Sequence, residues 1–179
     1  MMHDTIVNQP VIDAERFVLR PLRRSDQGLI EHYASERELA RMTSTIPHPL
    51  PPGATEALIA RSQADERIED VWALDGTKEG TSEVMGLISL ERVSEGQVEI
   101  GYWVAPPYWN TGIASEAVRT LIAANPLGSK TMFASVFQDN PASARVLTNS
   151  GFQYLGDAET FSVARNAPVP TWTYSLKLD

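Results

Sequence analysis

The stretch that decides the fold runs from Val98 to Ala117 and reads VEIGYWVAPPYWNTGIASEA. Its first seven residues, 98–104, are rich in β-branched and aromatic side chains, which predicts a strand. Beyond the prolines, the spacing of apolar residues changes from two to 3.6. The sequence therefore predicts a strand, a turn and then a helix. The apolar face of this helix comprises Ile113, Ala117, Val118, Leu121 and Ile122, and Asn125 and Pro126 close it.

The same reasoning extends to both sides of this stretch. Upstream, we predict a strand over 17–22, a helix from about Gln27 toward Met42, a proline-rich loop over 46–53, a helix from Thr55 to near Glu69, and strands over 71–74 and 84–90. Downstream, we predict a strand over 132–137, a helix from Asn140 to Gly151, and strands over 152–163 and 171–178. The predicted fold class is α+β (mixed α/β): a central mixed sheet of about seven strands with about four helices on its faces.

Composition limits the classes of function. The chain has 179 residues, 42% of them hydrophobic and 21% charged, so we expect one globular domain over 1–179. The lack of cysteine excludes disulfides and acyl-cysteine chemistry and favours a cytoplasmic location. No segment predicts a signal peptide or a membrane span, and we expect no membrane partner. The net charge of -8 argues against nucleic acid and favours amines. No metal site is expected, because His3, His32 and His48 lack ligand spacing.

The first candidate site is the helix start at 109–115, which reads WNTGIAS. A helix N-terminus presents unpaired N–H groups and about half a positive charge, and Gly112 and Ala114 leave no side chain to keep a phosphate away. The alternative is that Gly112 only allows the turn to pack. The motif lacks the last glycine of a dinucleotide fingerprint and the lysine of a P-loop, which excludes those two sites.

The second candidate site is the helix start at Asn140. Asn140 is a typical N-cap, Pro141 suits the first helical position, and Gly151 suits the left-handed residue that ends a helix. The alternative is that Asn140 and Ser143 only stabilise the first turn. Both helix starts follow a predicted strand, and their occurrence together favours a shared function.

Together these segments resemble the GNAT superfamily of N-acetyltransferases. Gly112-x-Ala114 is similar to the end of its Q/R-x-x-G-x-G/A signature, and the segments 102–117 and 140–152 resemble its RimJ/RimL-type branch. The segments 17–22 and 172–176 are similar to the same branch, so the resemblance covers about residues 15–178. It implies the GNAT fold, whose mostly antiparallel sheet opens where two middle strands splay.

The resemblance implies that acetyl-coenzyme A binds in this V-shaped cleft. The strand around Val104 would pair its backbone with the pantetheine arm, and the backbone of 110–114 would take the pyrophosphate. Asn140 would hydrogen-bond the pantetheine, and Ser143 would lie near the thioester sulfur. The implied cofactor-binding residues are Trp103, Val104, Ala105, Trp109, Asn110, Thr111, Gly112, Ile113, Ala114, Asn140 and Ser143.

The chain departs from the branch in the phosphate turn. Asn110 and Thr111 stand where the branch usually has glycine and a basic residue, whereas Trp109 at the first signature position is common in the branch. Losing one exposed positive charge beside a phosphate costs on the order of 1 kcal/mol of binding free energy. We therefore expect acetyl-coenzyme A to bind, but with reduced affinity.

The chemistry predicted from the residues is direct attack of a neutral amine on the thioester, since no cysteine can carry the acetyl group. Glu99 is the candidate general base, because burial in an apolar strand would raise its pKa from ~4.3, and the superfamily often has a catalytic glutamate on this strand. The alternative places Glu99 on the solvent face of the strand. Ser143 is the candidate donor to the leaving thiolate, and a backbone N–H near Val104 is the candidate for polarising the thioester carbonyl.

The sequence leaves open which amine accepts the acetyl group. The RimJ/RimL resemblance implies the α-amino group of a protein, typically a ribosomal protein N-terminus. An α-amine of pKa ~8 is about a tenth neutral at pH 7, whereas a lysine of pKa ~10.4 is neutral less than once in a thousand. The alternatives are transfer to a small amine, such as an amino acid, polyamine or antibiotic, and a non-catalytic acyl-coenzyme A-binding module, which the missing basic residue at Thr111 suggests. The chain would act as a monomer or a homodimer.

Overall fold

The computed structural model describes residues 7–178. The strands are β1 (Ile12–Asp13), β2 (Val18–Pro21), β3 (Glu69–Asp75), β4 (Gly86–Ser94), β5 (Gln97–Val104), β6 (Thr131–Phe137), β7 (Gln153–Ser162) and β8 (Ala167–Lys177). The helices are α1 (Gln27–Ala34), α2 (Arg37–Arg41), α3 (Ala54–Ser62), α4 (Ile113–Ala124) and α5 (Pro141–Asn149). Among these helices, none is long and apolar enough to cross a membrane. His3, for which the sequence predicts no metal-binding role, lies outside the described residues.

Within residues 7–178, eight strands form one sheet in the order β1-β2-β3-β4-β5-β6-β8-β7. Every neighbouring pair is antiparallel except β5 and β6, which are parallel. The predicted α+β class with a mixed, mostly antiparallel sheet is therefore confirmed. The described chain has one strand more than predicted, because β1 pairs with β2, and one helix more, because the first predicted helix is divided.

The division falls within the helix predicted from Gln27 toward Met42. Glu36 leaves the helical conformation, with φ -71° and ψ 123°, and it separates α1 from α2. The hydroxyl of Ser35 donates to the carbonyl of Glu31 at 2.6 Å. Serine competes in this way for backbone partners and favours helix ends over helix interiors.

The predicted end of the next helix, near Glu69, is also wrong. α3 ends at Ser62, and Glu69 opens β3, where it lies opposite Glu91 of β4. Local propensity is a weak signal, and a residue that gains a ladder partner in a sheet adopts the strand conformation against it.

Different helices cover the two faces of the sheet. On the face covered by α4 and α5, the core includes Trp72, Ile88, Leu90, Val98, Ile100, Val118, Leu121, Met132 and Leu147. On the face covered by α1 and α3, it includes Leu22, Ile30, Ile59, Val71, Ala73, Val84 and Leu87. Because side chains alternate along β5, Glu99 and Gly101 share the second face with Trp103, which packs against the α1–α3 core.

The sheet opens between its two middle strands. β5 and β6 pair only where Gln97–Glu99 lies beside Thr131–Phe133. Beyond this point β5 stays with β4 as far as Val104, and β6 stays with β8 as far as Phe137. The strands thus splay as expected, and we refer to the space between their upper halves, Ile100–Val104 and 134–137, as the gap.

Candidate functional site

Both helix starts singled out in the sequence lie at the open end of the gap. α4 follows β5 through a turn at 105–112, and α5 follows β6 through a turn at 138–140. Because β5 and β6 run parallel, their carboxyl ends lie at the same edge, and the two helices begin there. Helix N-termini that follow the carboxyl ends of parallel strands are favourable places for anions.

The start of α4 has unpaired backbone N–H groups. Asn110 and Gly112 have left-handed backbone, with φ of 60° and 80°, and no side chain caps the helix. The first hydrogen bond into the helix runs from the N–H of Glu116 to the carbonyl of Gly112, at 3.1 Å. The N–H groups of Ile113, Ala114 and Ser115 therefore have no carbonyl partner in the helix and are available to a ligand.

Arg16 lies beside this open start, which the sequence did not predict. Its Nε donates to Glu116 at 2.6 Å, and its Nη1 donates to the carbonyl of Thr111 at 2.8 Å. A Cβ added to Gly112 would lie 3.4 Å from its Nη2. The residue is 95 positions from Thr111, so no local pattern links the two. A basic side chain is thus present at the turn, although none stands at position 111.

The three predicted residues at the upper end of β5, 103–105, differ in their backbone partners. The N–H of Ala105 donates to Met85 at 2.8 Å, and its carbonyl accepts from Tyr108 at 2.9 Å. Strand alternation then directs the backbone of Val104 toward the gap. The carbonyl of Val104 accepts from Nε1 of Trp109 at 2.6 Å, so the N–H of Val104 is the backbone group of this residue that is available to a ligand. Of the three predicted residues on this strand, Val104 alone has a free backbone donor in the gap, while Trp103 points its indole to the other face.

The start of α5 is capped by its own side chain. The amide oxygen of Asn140 accepts from the N–H of Ser143 at 3.4 Å, and Pro141 has no N–H. The hydroxyl of Ser143 lies 2.7 Å from that of Tyr102, which reaches it from β5. Burial raises the pKa of Tyr102 to about 12, against the opposing effect of the Ser143 hydrogen bond. A protonated hydroxyl pair therefore spans the gap, and no sequence pattern predicted that Tyr102 belongs to it.

Glu99 lies at the closed end of the gap on the α1–α3 face. It is the last residue of β5 that pairs with β6, and solvent reaches its side chain. Glu91 of β4 and Glu69 of β3 lie in register with it, so three carboxylates form a row across the sheet. Partial burial, then the charges of Glu91 and Glu69, raise the pKa of Glu99 above its usual value. A carboxylate poised in this way is a better proton acceptor than an ordinary glutamate.

On the same face, a bridge joins the two halves of the opened sheet. Arg165, in the turn between β7 and β8, donates from Nε and Nη2 to the carbonyl of Arg41 in α2, at 3.1 and 2.7 Å. It also pairs with Asp139 at 2.6 Å and lies 5.0 Å from the ring centroid of Phe137. The N–H of Val163 donates to Ser44 at 3.1 Å. These contacts join the turns that follow β6 and β7 to α2 and the residues after it.

The structure thus gathers most of the predicted residues around one opening. The turn at 109–114, Val104, Asn140 and Ser143 lie at its open end, and Glu99 lies at its closed end on the α1–α3 face. Within residues 7–178, no group of three or more histidine, aspartate or glutamate side chains is placed to hold a metal ion.

Residues 16–153 match the model of a protein family described as an acetyltransferase (GNAT) domain. The chain is 28% identical over 180 residues to an uncharacterized N-acetyltransferase of Bacillus subtilis, YoaA, covering 93% of this chain and 96% of that one. RimJ of Mycobacterium smegmatis, solved with a coenzyme A disulfide, has the same fold with a TM-score of 0.81, 19% identity and coverage of 95% and 88%. The spermidine N-acetyltransferase of Vibrio cholerae, solved with coenzyme A and spermine, also has this fold, with a TM-score of 0.77 and 17% identity. The match covers 91% of this chain and 96% of that one.

Proposed function

The chain belongs to the GNAT acetyltransferase family, and from this premise we propose that it is a RimJ/RimL-type enzyme that transfers the acetyl group of acetyl-coenzyme A to the α-amino group of a protein N-terminus. The observation that carries the proposal is the gap, which has free backbone donors at its open end and the Glu99 carboxylate at its closed end. An amine that enters from the α1–α3 face would meet acetyl-coenzyme A, which groups on the α4–α5 face would hold.

The residues at the open end fit acetyl-coenzyme A, which supplies an acetyl group activated as a thioester. The free N–H groups of Ile113, Ala114 and Ser115 would hold the pyrophosphate, as a helix N-terminus does for other anions. Gly112 keeps this surface open, since a Cβ there would project beside Arg16. The cap on α5 uses the amide oxygen of Asn140 and leaves the amide NH2 to hydrogen-bond the pantetheine.

Glu99 would act on the amine. A protein N-terminus is mostly protonated at neutral pH, and only its neutral form is a nucleophile. The raised pKa of Glu99 lies closer to that of the amine than an ordinary carboxylate does, so it accepts the proton more readily. Glu91 and Glu69 raise it further and favour the approach of a cation.

The N–H of Val104 and the hydroxyl pair of Tyr102 and Ser143 would act on the thioester rather than on the amine. The N–H of Val104 points into the gap and would polarise the thioester carbonyl in the manner of an oxyanion hole. The hydroxyl pair of Tyr102 and Ser143 would hold a proton for the departing thiolate. Because the pKa of Tyr102 is about 12, this pair remains protonated throughout the range in which the amine becomes neutral.

A chain end suits this site because an α-amine is neutral at pH 7 far more often than a lysine is. The bridge from Arg165 to α2 lies beside Phe137, at the upper end of β6, and would favour a narrow acceptor. The second candidate is a small amine with more than one positive charge, which the carboxylate row of Glu69, Glu91 and Glu99 favours. Release of free thiol from acetyl-coenzyme A with peptides of varied N-terminal residue supports the first candidate. Turnover with polyamines and none with peptides supports the second.

The test of the mechanism is Glu99→Gln. We expect kcat/KM to fall by roughly a hundredfold, the size of a lost general base, while the Kd of acetyl-coenzyme A stays the same. Because Glu99 must be ionised to accept a proton, wild-type activity should decline as the pH falls through its raised pKa, and this acidic limb should be absent from the variant. Thiol release followed across pH measures both effects.

Glu91→Gln is the matched control, since it removes a carboxylate from the same row. It should retain turnover and shift the acidic limb to lower pH, because the charge of Glu91 contributes to raising the pKa of Glu99. Unchanged turnover in Glu99→Gln would remove Glu99 from the mechanism.

A further inference from the structure

Among the residues that the structure describes, the guanidinium of Arg16 has an edge without a partner, beside the open start of α4. Arginine has five N–H donors. Nε donates to Glu116 and Nη1 to the carbonyl of Thr111, while Nη2 forms no hydrogen bond with any residue between 7 and 178. The side chain of Arg16 is 40% exposed. Two or more of its donors are therefore fixed in place and directed at solvent beside Gly112.

Arg16 is held rigidly by its other bonds. Its backbone N–H donates to the second carboxylate oxygen of Glu116 at 2.9 Å, so the side chain and the backbone of Arg16 grip the same carboxylate. Glu116 lies in the first turn of α4. A guanidinium fixed in this way loses little side-chain entropy when it binds a further anion.

The charge at this end of the gap depends on Arg16. Asn110 and Thr111 are neutral, and the chain as a whole has a net charge of -8. Arg16 also lowers the pKa of Glu116 and so keeps it ionised. Without the guanidinium, the first turn of α4 would present an unbalanced carboxylate to a ligand phosphate.

We propose that Arg16 binds the pyrophosphate of acetyl-coenzyme A through its free Nη2 edge, and so supplies from the N-terminal segment the positive charge that the turn at 110–111 lacks. This inference rests on the proposed function. It assigns one further binding residue to that site, together with the group of the ligand that the residue contacts. Arginine suits this role, since its planar fork matches phosphate oxygens.

Arg16 has two ways of helping a phosphate to bind, and they predict different double mutants. If it contacts the pyrophosphate, Arg16→Gln binds weakly whether or not Glu116 is charged. If it only neutralises Glu116, then removal of that carboxylate by Glu116→Gln restores the binding that Arg16→Gln has lost. The pair of single variants and the double variant form a cycle that separates the contact from the neutralisation.

The experiment measures the Kd of acetyl-coenzyme A by calorimetry for the wild type, Arg16→Gln, Arg16→Lys, Glu116→Gln and the double variant. Arg16→Gln should raise the Kd roughly fivefold to tenfold, Arg16→Lys by less, and the double variant should stay as weak as Arg16→Gln. The increase should be the same with the 3′-dephospho form, which keeps the pyrophosphate, and should vanish with S-acetyl-pantetheine, which has no phosphate. Arg37→Ala removes an exposed arginine from α2 and should leave every Kd unchanged.

Three results would overturn the inference: full rescue of Arg16→Gln by Glu116→Gln, an equal loss of affinity for S-acetyl-pantetheine, or no loss with the 3′-dephospho form. Arg16→Lys and Glu116→Gln keep the test decisive if Arg16→Gln fails to fold. Salt gives a further check, because raising the ionic strength should reduce the difference between the wild type and Arg16→Gln. A wild-type chain that binds no acetyl-coenzyme A would instead refute the proposed function, and the role of Arg16 with it.

Discussion

The two helices that begin at the gap start in opposite ways. α4 begins at Gly112 without a side-chain cap, and its first N–H groups face outward beside an arginine. α5 begins at Asn140 with its own cap, with a proline in place of one donor, and with a serine tied to Tyr102. The sequence singles out both starts as candidate sites, and the structure shows that the first is open whereas the second is capped by its own asparagine.

This difference suggests different roles: the start of α4 would bind the ligand, and the start of α5 would take part in the reaction. Free N–H groups with a guanidinium suit a charged group that takes no part in the reaction. The Tyr102 hydroxyl, whose pKa burial raises, suits the reacting end, where a proton has to be kept. If this division holds, changes at the open start of α4 alter the Kd of acetyl-coenzyme A, and changes to the Tyr102–Ser143 hydroxyl pair at α5 alter kcat.

Among the variants that test this difference between the helix starts, Tyr102→Phe should have the largest effect, because it removes the hydroxyl that reaches Ser143. We expect kcat to fall roughly tenfold to a hundredfold, because the departing thiolate loses its proton source, while the Kd of acetyl-coenzyme A changes little. Steady-state kinetics and calorimetry give the two numbers. Ser143→Ala should cost a similar amount, and the double variant little more, since the two hydroxyls act as one unit.

Tyr174→Phe is the control for Tyr102→Phe. Tyr174 is also buried, at 6% exposure, but it lies on β8 and packs in the α4–α5 core. It should lose no activity. A fall in affinity in place of kcat for Tyr102→Phe would contradict the division between the two helix starts.

The next effect in size is expected for Gly112→Ala. The added Cβ would lie 3.4 Å from Nη2 of Arg16 and would hinder a phosphate from reaching the guanidinium and the free N–H groups of α4. The Kd of acetyl-coenzyme A should therefore rise about tenfold. The left-handed backbone at Gly112 also makes any side chain costly, by about 1 to 2 kcal/mol of stability. Calorimetry and thermal unfolding separate the two losses.

Gly53→Ala is the matched variant, because Gly53 begins α3 with nearly the same φ, 82°, and a Cβ there meets no atom within 4 Å. It should lose the same stability and bind acetyl-coenzyme A as the wild type does. An equal rise in Kd for both glycine variants would mean that strain alone explains the effect, and that the start of α4 is not a phosphate site.

The parts of this site that local signals encode were predictable from sequence. Gly112 at a strand-to-helix turn, and Asn140 with Pro141 at a helix start, both lie where they were expected. The strand at 98–104 and the parallel neighbours β5 and β6 follow from alternation and from the helix that connects the strands. Interactions between residues that are close together in the sequence determine such features, so a single sequence is enough to predict them.

The missing parts depend on contacts between distant segments. Arg16 reaches Glu116 across 100 positions, and Tyr102 reaches Ser143 across 41. The carboxylate row needs the register of three strands, since a shift by one residue would turn Glu91 or Glu69 to the other face. The spacing of apolar residues along a strand does not show which residues lie opposite each other on neighbouring strands. For this reason the sequence identified Glu99 but not its two acidic neighbours.

The smallest effect, at Asn140, tests whether the cap of α5 also binds. Asn140→Ser keeps an N-cap oxygen but loses the amide NH2, whereas Asn140→Ala loses both. We expect only Asn140→Ala to lose stability, about 1 kcal/mol by thermal or urea unfolding, and both variants to raise the Kd of acetyl-coenzyme A and of S-acetyl-pantetheine about threefold. Because S-acetyl-pantetheine has no phosphate, this pattern places Asn140 on the pantetheine and Arg16 on the pyrophosphate. If Asn140→Ser binds both ligands as the wild type does, Asn140 is a cap only, and α5 contributes Ser143 alone to the site.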